Sequence, residues 1–501
     1  MGSKEDSPLV VERRRKVAEL RKRGVEPFPW SFPDRLPAHE VSEKASSLAD
    51  SEGVTSPPVR VAGRLRAIRQ HGKTAFADVE DVTGSIQLFL RIDELGEAGF
   101  NQLLHDLDPG DIVGATGRPY RTRRGEPSLR VERLEILSKA IAPPPEKWHG
   151  VQDPELRLRK RYLDLMSSEE SRKRFTVRSL LVRELRHFLD GKGFLEVETP
   201  VLVPIASGAA AEPFATRSNY LGEELQLRIS LELPLKRLLV GGLERVYEVG
   251  RIFRNEDMDS THAPEFTMME LYWAYADYTD MRSLIESLYD RLAHRVAELW
   301  PENAAAARAP ELFHPPFASL DYVEALERLS GIRDVVNLGV DALREKARAI
   351  GATVPADSPK GKFLDKLFEH FVEPTLERPT FILDYPEITT PLAKRHRSKP
   401  GRVERFELFW RGVELGNAYT ELNDPDEQES RFQAQLSARG EDHYAYDADF
   451  IEALRSGMPP ATGVGIGIDR MVMALTGTAS IKDVILFAPT RSVGAAPREN
   501  R

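Results

Sequence analysis

The chain has 501 residues, 41% of them hydrophobic and 30% charged, with 79 acidic against 70 basic side chains and a formal charge of −9. That length allows two or three domains with a large core, and the composition is that of a soluble globular protein. The absence of cysteine excludes disulfides, thiolate catalysis and a thiolate-held structural zinc, so no zinc is expected. The N-terminus carries no apolar stretch of secretion-signal type and no later run is long enough to span a bilayer, so a cytoplasmic protein with no membrane partner is expected. Residues 1–58 read as a basic helical extension carrying Arg13, Arg14, Arg15, Lys16, Arg21, Lys22 and Arg23. Such a run is either a solvated helix face or a contact to RNA; net negative charge does not decide, because nucleic-acid binding depends on the local field.

From about Val59 to Leu137, short alternating segments (VRVAGRLRAIR, TAFADVEDVTGSIQLFL, DIVGATGRPYRT, PSLRVERLEIL) are separated by turn signals at Asp81–Gly84, Asp108–Gly110 and Arg124–Glu126. This spacing predicts a small five-stranded β-barrel of the OB type, extending to about residue 142. Phe76, Gln87 and Phe89 fall on adjoining strands, either as core or as a platform for bases splayed from a single-stranded loop. A second basic group, Arg118, Arg121, Arg123, Arg124 and Arg130, lies in the same segment. Pro143-Pro144-Pro145 then forms a stiff spacer at the head of a linker over 143–170.

Beyond the linker, Val177, Leu180, Leu181, Leu185, Phe188 and Leu189 keep helical spacing and lead into KGFLEVETPVLVP, Lys192 to Pro204. The stretch RVYEVGRIFRNEDMDSTHAPEFTMMELYWAYADY, Arg245 to Tyr278, predicts two strands around a polar loop flanked by Arg254 and His262. Alternation on the second strand puts Phe266, Met268, Glu270 and Tyr272 on one face and Thr267, Met269, Leu271 and Trp273 on the other. Beside an arginine, the first face suits stacking a base, holding a cation and gripping a phosphate; a half-solvated sheet edge is the plainer reading. A helical insertion is expected over about 290–378. In GNAYTELNDP, Asn417, Tyr419 and Glu421 share a face; with Glu232 of LELPLKR, Glu270 and Tyr272 they form an acidic set suited to an ε-ammonium and hostile to a side-chain carboxylate. Near the C-terminus, GVGIGIDRMVMALTG joins a glycine-rich strand (Gly463, Gly465, Gly467) to an amphipathic helix, with Arg470 at the junction.

FRNE with the downstream HAPEF, the glycine-rich strand with its arginine, and KGFLEVETPVLVP resemble motifs 2, 3 and 1 of class II aminoacyl-tRNA synthetases. The barrel resembles the anticodon-binding domain of the subgroup with the aspartyl, asparaginyl and lysyl enzymes. HGVQDPELRLRKRYLDLM, LKRLLVGGLERVYEVGRIFRNE, PTFILDYPEITTPLAK, RFELFWRGVELGNAYTELNDPDEQ and SIKDVILFAPTR resemble the bacterial lysyl-tRNA synthetases. The resemblance implies an α+β chain: an OB-fold anticodon-binding domain over 59–142, then a catalytic domain over 171–495 built on an antiparallel sheet flanked by helices. Motif 1 would lie at about 180–204, motif 2 at 244–272 and motif 3 at 463–477. It implies lysine activation by ATP with release of pyrophosphate, transfer to tRNA(Lys), Mg2+ as cofactor, and a homodimer through motif 1. By motif, Gly208, Glu232, Glu270, Tyr272, Asn417, Tyr419 and Glu421 would hold lysine. Arg254, Glu256, His262, Phe266, Glu407 and Arg470 would hold ATP, with Arg254 on the α-phosphate, His262 and Arg470 on the outer phosphates and Phe266 under the adenine. Arg254 and Arg470 would be catalytic, Glu407 and Glu414 would bind the metal, and Arg69, Phe76 and Gln87 would read the anticodon. Three positions depart from the family pattern: Ser207 and Glu212, where glycine and arginine are usual, and Pro234, where a bulky residue is usual.

Overall fold

The computed structural model describes residues 6–48, 56–145, 151–355, 358–437 and 446–490. Parts of the expected extension (1–5 and 49–55), His149 of the bridging segment, and Arg491 with the rest of the expected catalytic range lie outside them. The chain forms two compact units, residues 1–151 and 152–501.

In the first unit, β1 (Val59–His71), β2 (Thr74–Asp81), β3 (Gly84–Arg91), β4 (Ile112–Arg121) and β5 (Pro127–Ser138) close a barrel in the order β1-β2-β3-β5-β4. Alternation sends Ala75, Ala77, Val79, Ile86, Leu88 and Leu90 into its core and leaves Phe76, Gln87 and Phe89 half-buried on the outer face. The core reading of Phe76 and Phe89 is thereby corrected. A helix over Ala38–Ser46, which the sequence did not single out, packs Ala38, Val41 and Ala45 into the barrel core. The basic helix, Pro8–Lys22, is capped by Ser7, whose Oγ accepts from Val10 N. It is not a freely solvated face: the Arg13 guanidinium donates to the Ala140 and Pro109 carbonyls at 2.7 and 3.1 Å, Lys16 pairs with Asp108 at 2.9 Å, and Arg23 pairs with Asp106 at 2.7 Å.

The second unit begins with a long helix, Glu169–Gly191, capped by Ser168 and with Glu169 and Glu170 in its first turn, where carboxylates complement the helix dipole. It buries Val177, Leu181, Leu185 and Leu189 at four-residue spacing, while Leu180 and Phe188 flank that stripe half-buried. The strands β6 (Leu195–Glu196), β7 (Leu202–Val203), β8 (Ala215–Arg217), β9 (Glu224–Leu227), β10 (Arg245–Phe253), β11 (Glu265–Ala274), β12 (Ala318–Asp321), β13 (Thr380–Leu383), β14 (Arg405–Trp410), β15 (Val413–Thr420) and β16 (Ala461–Gly467) follow. Strands β7, β9 and β8 make a small sheet. The others form one eight-stranded sheet in the order β12-β13-β14-β15-β16-β11-β10-β6. It is antiparallel except at its two edges, where β12 pairs β13 and β6 pairs β10 in parallel.

Strand β11 is central, between β10 and β16, so the sheet-edge reading of its polar face does not hold. Met269 and Leu271 point into one apolar cluster with the helices Glu169–Gly191 and Tyr278–Leu299. Tyr272 and Ala274 belong to a second cluster, with Phe266 and Met268 packed against it. The site therefore rests on a sheet covered on both faces.

Candidate active site

One cavity of about 430 Å³ opens on the polar face of β11, β15 and β16, and nearly every residue singled out in this unit lines it. Gly208, Glu232, Glu270, Tyr272, Asn417 and Tyr419 are there together with Arg254, Glu256, His262, Phe266, Glu407, Glu414 and Arg470. Glu421, one residue past β15, is the exception; it lies behind the wall, 1% exposed. Gly208 has φ +89, and a Cβ there would stand 3.1 Å from Ser230 Cβ and 3.3 Å from Glu232 Cβ, so this position keeps glycine on both counts.

The acidic set is buried and internally braced. Glu270 Oε1 accepts from Ser230 Oγ at 3.0 Å and Leu231 N at 2.9 Å, and its Oε2 accepts from Tyr272 Oη at 3.1 Å. Burial and the neighbouring Glu232 nevertheless push the Glu270 carboxyl up to about 7, against those donors. Burial likewise pushes Glu421 up to about 8, with Lys236 opposing and Glu232 adding to the rise. Burial, Glu232 and Glu270 hold the Tyr272 phenol well above its ordinary value, so it stays a donor. An added cation among these groups would relieve the cost of their charge.

On the phosphate-suited side, Arg254 follows β10 and has no carboxylate partner among the described residues; its Nε donates to the Ile229 carbonyl at 3.4 Å and its guanidinium lies 5.4 Å from the Phe266 ring centroid. Arg470, in the first turn of the helix Ile468–Thr476, donates from Nη2 to His262 Nε2 at 2.9 Å and from Nη1 to Glu414 Oε2 at 3.3 Å. His262 Nδ1 in turn meets Asp259 Oδ2 at 2.8 Å, which fixes the proton on Nδ1 and leaves Nε2 to accept from Arg470. Burial would raise Asp259, but the Thr261 and His262 N–H groups and the His262 ring hold it down at about 2. Asp469 anchors the same helix, accepting from Thr267 N at 2.8 Å and pairing with Arg178 at 2.7 Å.

Glu407 on β14 and Glu414 on β15 face the cavity. Tyr385 Oη donates to Glu407 Oε2 at 2.7 Å and Arg405 contacts Oε1, while burial, outweighing Arg405, raises the carboxyl and Glu414 adds to that rise. Among the described residues no three His, Cys, Asp or Glu side chains converge as a metal site. Two carboxylates fit a hard cation that completes its shell with phosphate and water.

Sequence reading missed several residues that organise the site. Arg405 donates to Asn417 Oδ1 at 3.1 Å, Ser230 braces Glu270, Asp259 orients His262, and Lys236 lies between Glu232 and Glu421. Lys236 and Asp259 carried local signals, the one four residues after Glu232 on one helix and the other three residues before His262 in one loop. The departures also resolve. Pro234 sits in the first turn of the helix Glu232–Val240, where its missing N–H has no intrahelical acceptor to lose. Ser207 Oγ donates to Asp447 Oδ2 at 3.2 Å, and Glu212 turns its side chain to solvent while its carbonyl accepts from Asn255 N at 2.7 Å.

In the first unit, Phe76 stacks on Phe89 at 5.1 Å and Phe89 on Tyr120 at 5.4 Å, a three-ring ladder on the barrel's outer face; Tyr120 was not anticipated. Arg69 pairs with Asp78 at 3.0 Å beside it, and Gln87 Oε1 accepts from Ser128 Oγ at 3.1 Å. No described helix is long and apolar enough to cross a membrane.

Residues 153–491 match the family of class II tRNA synthetases for D, K and N, and residues 59–137 match the OB-fold nucleic acid binding domain. Among curated relatives, a lysine–tRNA ligase of Moorella thermoacetica is 46% identical over 491 residues, covering 97% of this chain and 98% of that protein. Those of Carboxydothermus hydrogenoformans and Roseiflexus castenholzii are also 46% identical, over 97% and 98% of this chain and 99% of each relative. A barrel of nucleic-acid-binding type, a sheet-floored cavity joining buried carboxylates to arginines, and full-length likeness agree: the chain belongs to the class II tRNA synthetases, in their lysine–tRNA ligase branch.

Proposed function

We propose that the cavity on β11, β15 and β16 binds L-lysine and ATP together, joins them as lysyl-adenylate with loss of pyrophosphate, and then passes lysine to the terminal adenosine of tRNA(Lys). The observation that carries this reading is the meeting of Glu232, Glu270 and Tyr272 with Arg254 and Arg470 in one cavity. Gly208, Glu232, Glu270, Tyr272, Asn417, Tyr419 and Glu421 form the lysine site. Arg254, Glu256, His262, Phe266, Glu407 and Arg470 form the ATP site, with adenine on the face of Phe266 away from Arg254. Glu407 and Glu414 are the residues that would hold Mg2+, which when bound neutralises phosphate charge. The lysine carboxylate attacks the α-phosphorus as the bond to the β-phosphate oxygen breaks. Arg254 stabilises the charge spreading over the phosphoryl oxygens, and the His262–Arg470 pair, with its proton set by Asp259, orients the leaving phosphates. No side-chain nucleophile is needed; positioning alone can supply about 7–11 kcal/mol.

The domain roles follow: residues 59–142 read the anticodon through Arg69, Phe76 and Gln87, residues 143–170 link, and residues 171–495 catalyse, with the helical insertion at about 290–378. Exposed Leu195, Leu202 and Ile205 in and beside motif 1 support a homodimer through that segment. A cytoplasmic location follows from the reaction's place in protein synthesis.

Two measurements test the assignment. Exchange of labelled pyrophosphate into ATP is expected with lysine and not with aspartate or asparagine; better exchange with aspartate would overturn the substrate, because an aspartate pocket needs a net cation where this one holds carboxylates. Phe76→Ala is expected to weaken tRNA charging by the loss of a stacking contact worth about 1–3 kcal/mol, with exchange and melting temperature close to wild type. Normal charging by that variant would remove Phe76 from the anticodon site.

A further inference from the structure

The lysine site contains a cation of its own. The Lys236 side chain is completely buried, its Nζ 2.6 Å from Glu232 Oε1 and in contact with Glu421 Oε2, with the Tyr419 and Phe450 rings 5.5 and 5.8 Å away. Every carboxylate of the site therefore faces either this ammonium or the braces on Glu270. Free lysine brings two ammonium groups, and the site holds three carboxylates.

We propose that Lys236 is a positioning and specificity-determining residue of the amino-acid site: its fixed ammonium balances one of three carboxylates and clamps Glu232 to Glu421, so the remaining negative charge matches a substrate with two ammonium groups. This rests on the lysine-pocket reading and adds to it a reason why the pocket selects by charge count. The groups facing Lys236 are Glu232 on its own helix, Glu421 just past β15, and the Tyr419 and Phe450 rings; Glu270 and Tyr272 from β11 act on Glu232 and Glu421 rather than on Lys236, and Asp447 is taken by Arg237. Burial works against the charge of Lys236, but Glu232 and Glu421 outweigh it and raise its pKa, so it stays an ammonium. The sign for the carboxylates is opposite. Glu270 and Glu421 are pushed up, to about 7 and about 8, chiefly by burial, so ammonium groups that enter the site favour their charged forms and drive protons off them. Removing Lys236 removes the charge that opposes the rise at Glu421, so more protons must leave per lysine bound.

The test is calorimetric titration of L-lysine into the full chain without ATP, near neutral pH, in buffers of different ionisation enthalpy, with exchange kinetics alongside. Lys236→Met is expected to bind lysine about tenfold more weakly for each unit by which the carboxylate pKa rises, to release more protons than wild type, and to keep its kcat at saturating lysine. A folded Lys236→Met with wild-type affinity and proton release overturns the proposal and leaves the pocket reading standing. A wild-type chain that binds no lysine overturns both. If Lys236→Met does not fold, Lys236→Gln, whose amide keeps a donor for Glu232 without the charge, carries the same expectation and the same overturning result.

Discussion

Arg254→Ala is expected to lower lysine-dependent pyrophosphate exchange by about 10²–10³, the cost of removing one preorganised donor from a charge that develops in the transition state. Arg254 is suited to that role because no described carboxylate neutralises it and its guanidinium is held at the cavity by the Phe266 ring, 5.4 Å away, and a long contact to the Ile229 carbonyl. Its structural contribution is small: a partly exposed cation–π contact is worth about 0.5–1 kcal/mol, so the variant should melt close to wild type. The loss should fall on kcat more than on the KM for lysine, since the lysine-side groups do not touch Arg254. Unchanged exchange in a normally melting variant would show that the α-phosphate is held elsewhere.

The parts of the site legible in the sequence are those fixed by short-range geometry. Alternation along β11 placed Phe266, Glu270 and Tyr272 on one face because a strand has a period of two whatever surrounds it. The same rule placed Asn417 and Tyr419 on the cavity, whereas in the barrel alternation alone did not say which face was core, and Phe76 proved to lie outside with Ala75 and Ala77 inside. Periodicity says nothing about what covers a face. The plainer reading of β11 as a sheet edge failed because the strand's neighbours, β10 and β16, come from segments on either side of it that lie as much as about two hundred residues apart. For the same reason the helix Ala38–Ser46 was not anticipated as barrel core, and the charges of the N-terminal helix looked freer than they are. Arg13, Lys16 and Arg23 meet partners about a hundred residues away in sequence.

The groups that brace the site were hidden for a related reason. Ser230 and Arg405 have ordinary sequence surroundings, and their roles exist only once the start of a helix meets β11 and β14 pairs with β15; Asp259 acts within its own loop, three residues before His262. Lys236 differs in that half of its environment, Glu232 four residues earlier, was visible, and the other half, Glu421, was not. A three-glutamate cluster read without that lysine overstates the negative charge offered to a substrate.

Gly463→Ala tests the wall between the cavity and Glu421. Gly463 lies on β16, paired with Tyr272 of β11 and Tyr419 of β15, and a Cβ there would collide with the Tyr272 ring and with Glu421 Oε1. The strand cannot retreat, because it is hydrogen-bonded on both sides in the middle of the sheet. The side chains must move instead, turning Tyr272 away from Glu270 and drawing Glu421 off Lys236. Overpacking of this kind costs about 1–3 kcal/mol, which if it falls on the lysine-bound state raises the KM for lysine by about 5- to 150-fold. The KM for ATP should stay near wild type, since Arg254, Phe266 and the His262–Arg470 pair do not contact Gly463. Gly465→Ala provides the contrast in stability. Its Cβ would meet Glu270 Cγ at 3.7 Å, an ordinary contact, so it should melt as wild type while Gly463→Ala melts lower. Equal melting temperatures and an unchanged lysine KM for Gly463→Ala would mean that Tyr272 and Glu421 do not depend on the bare backbone at Gly463.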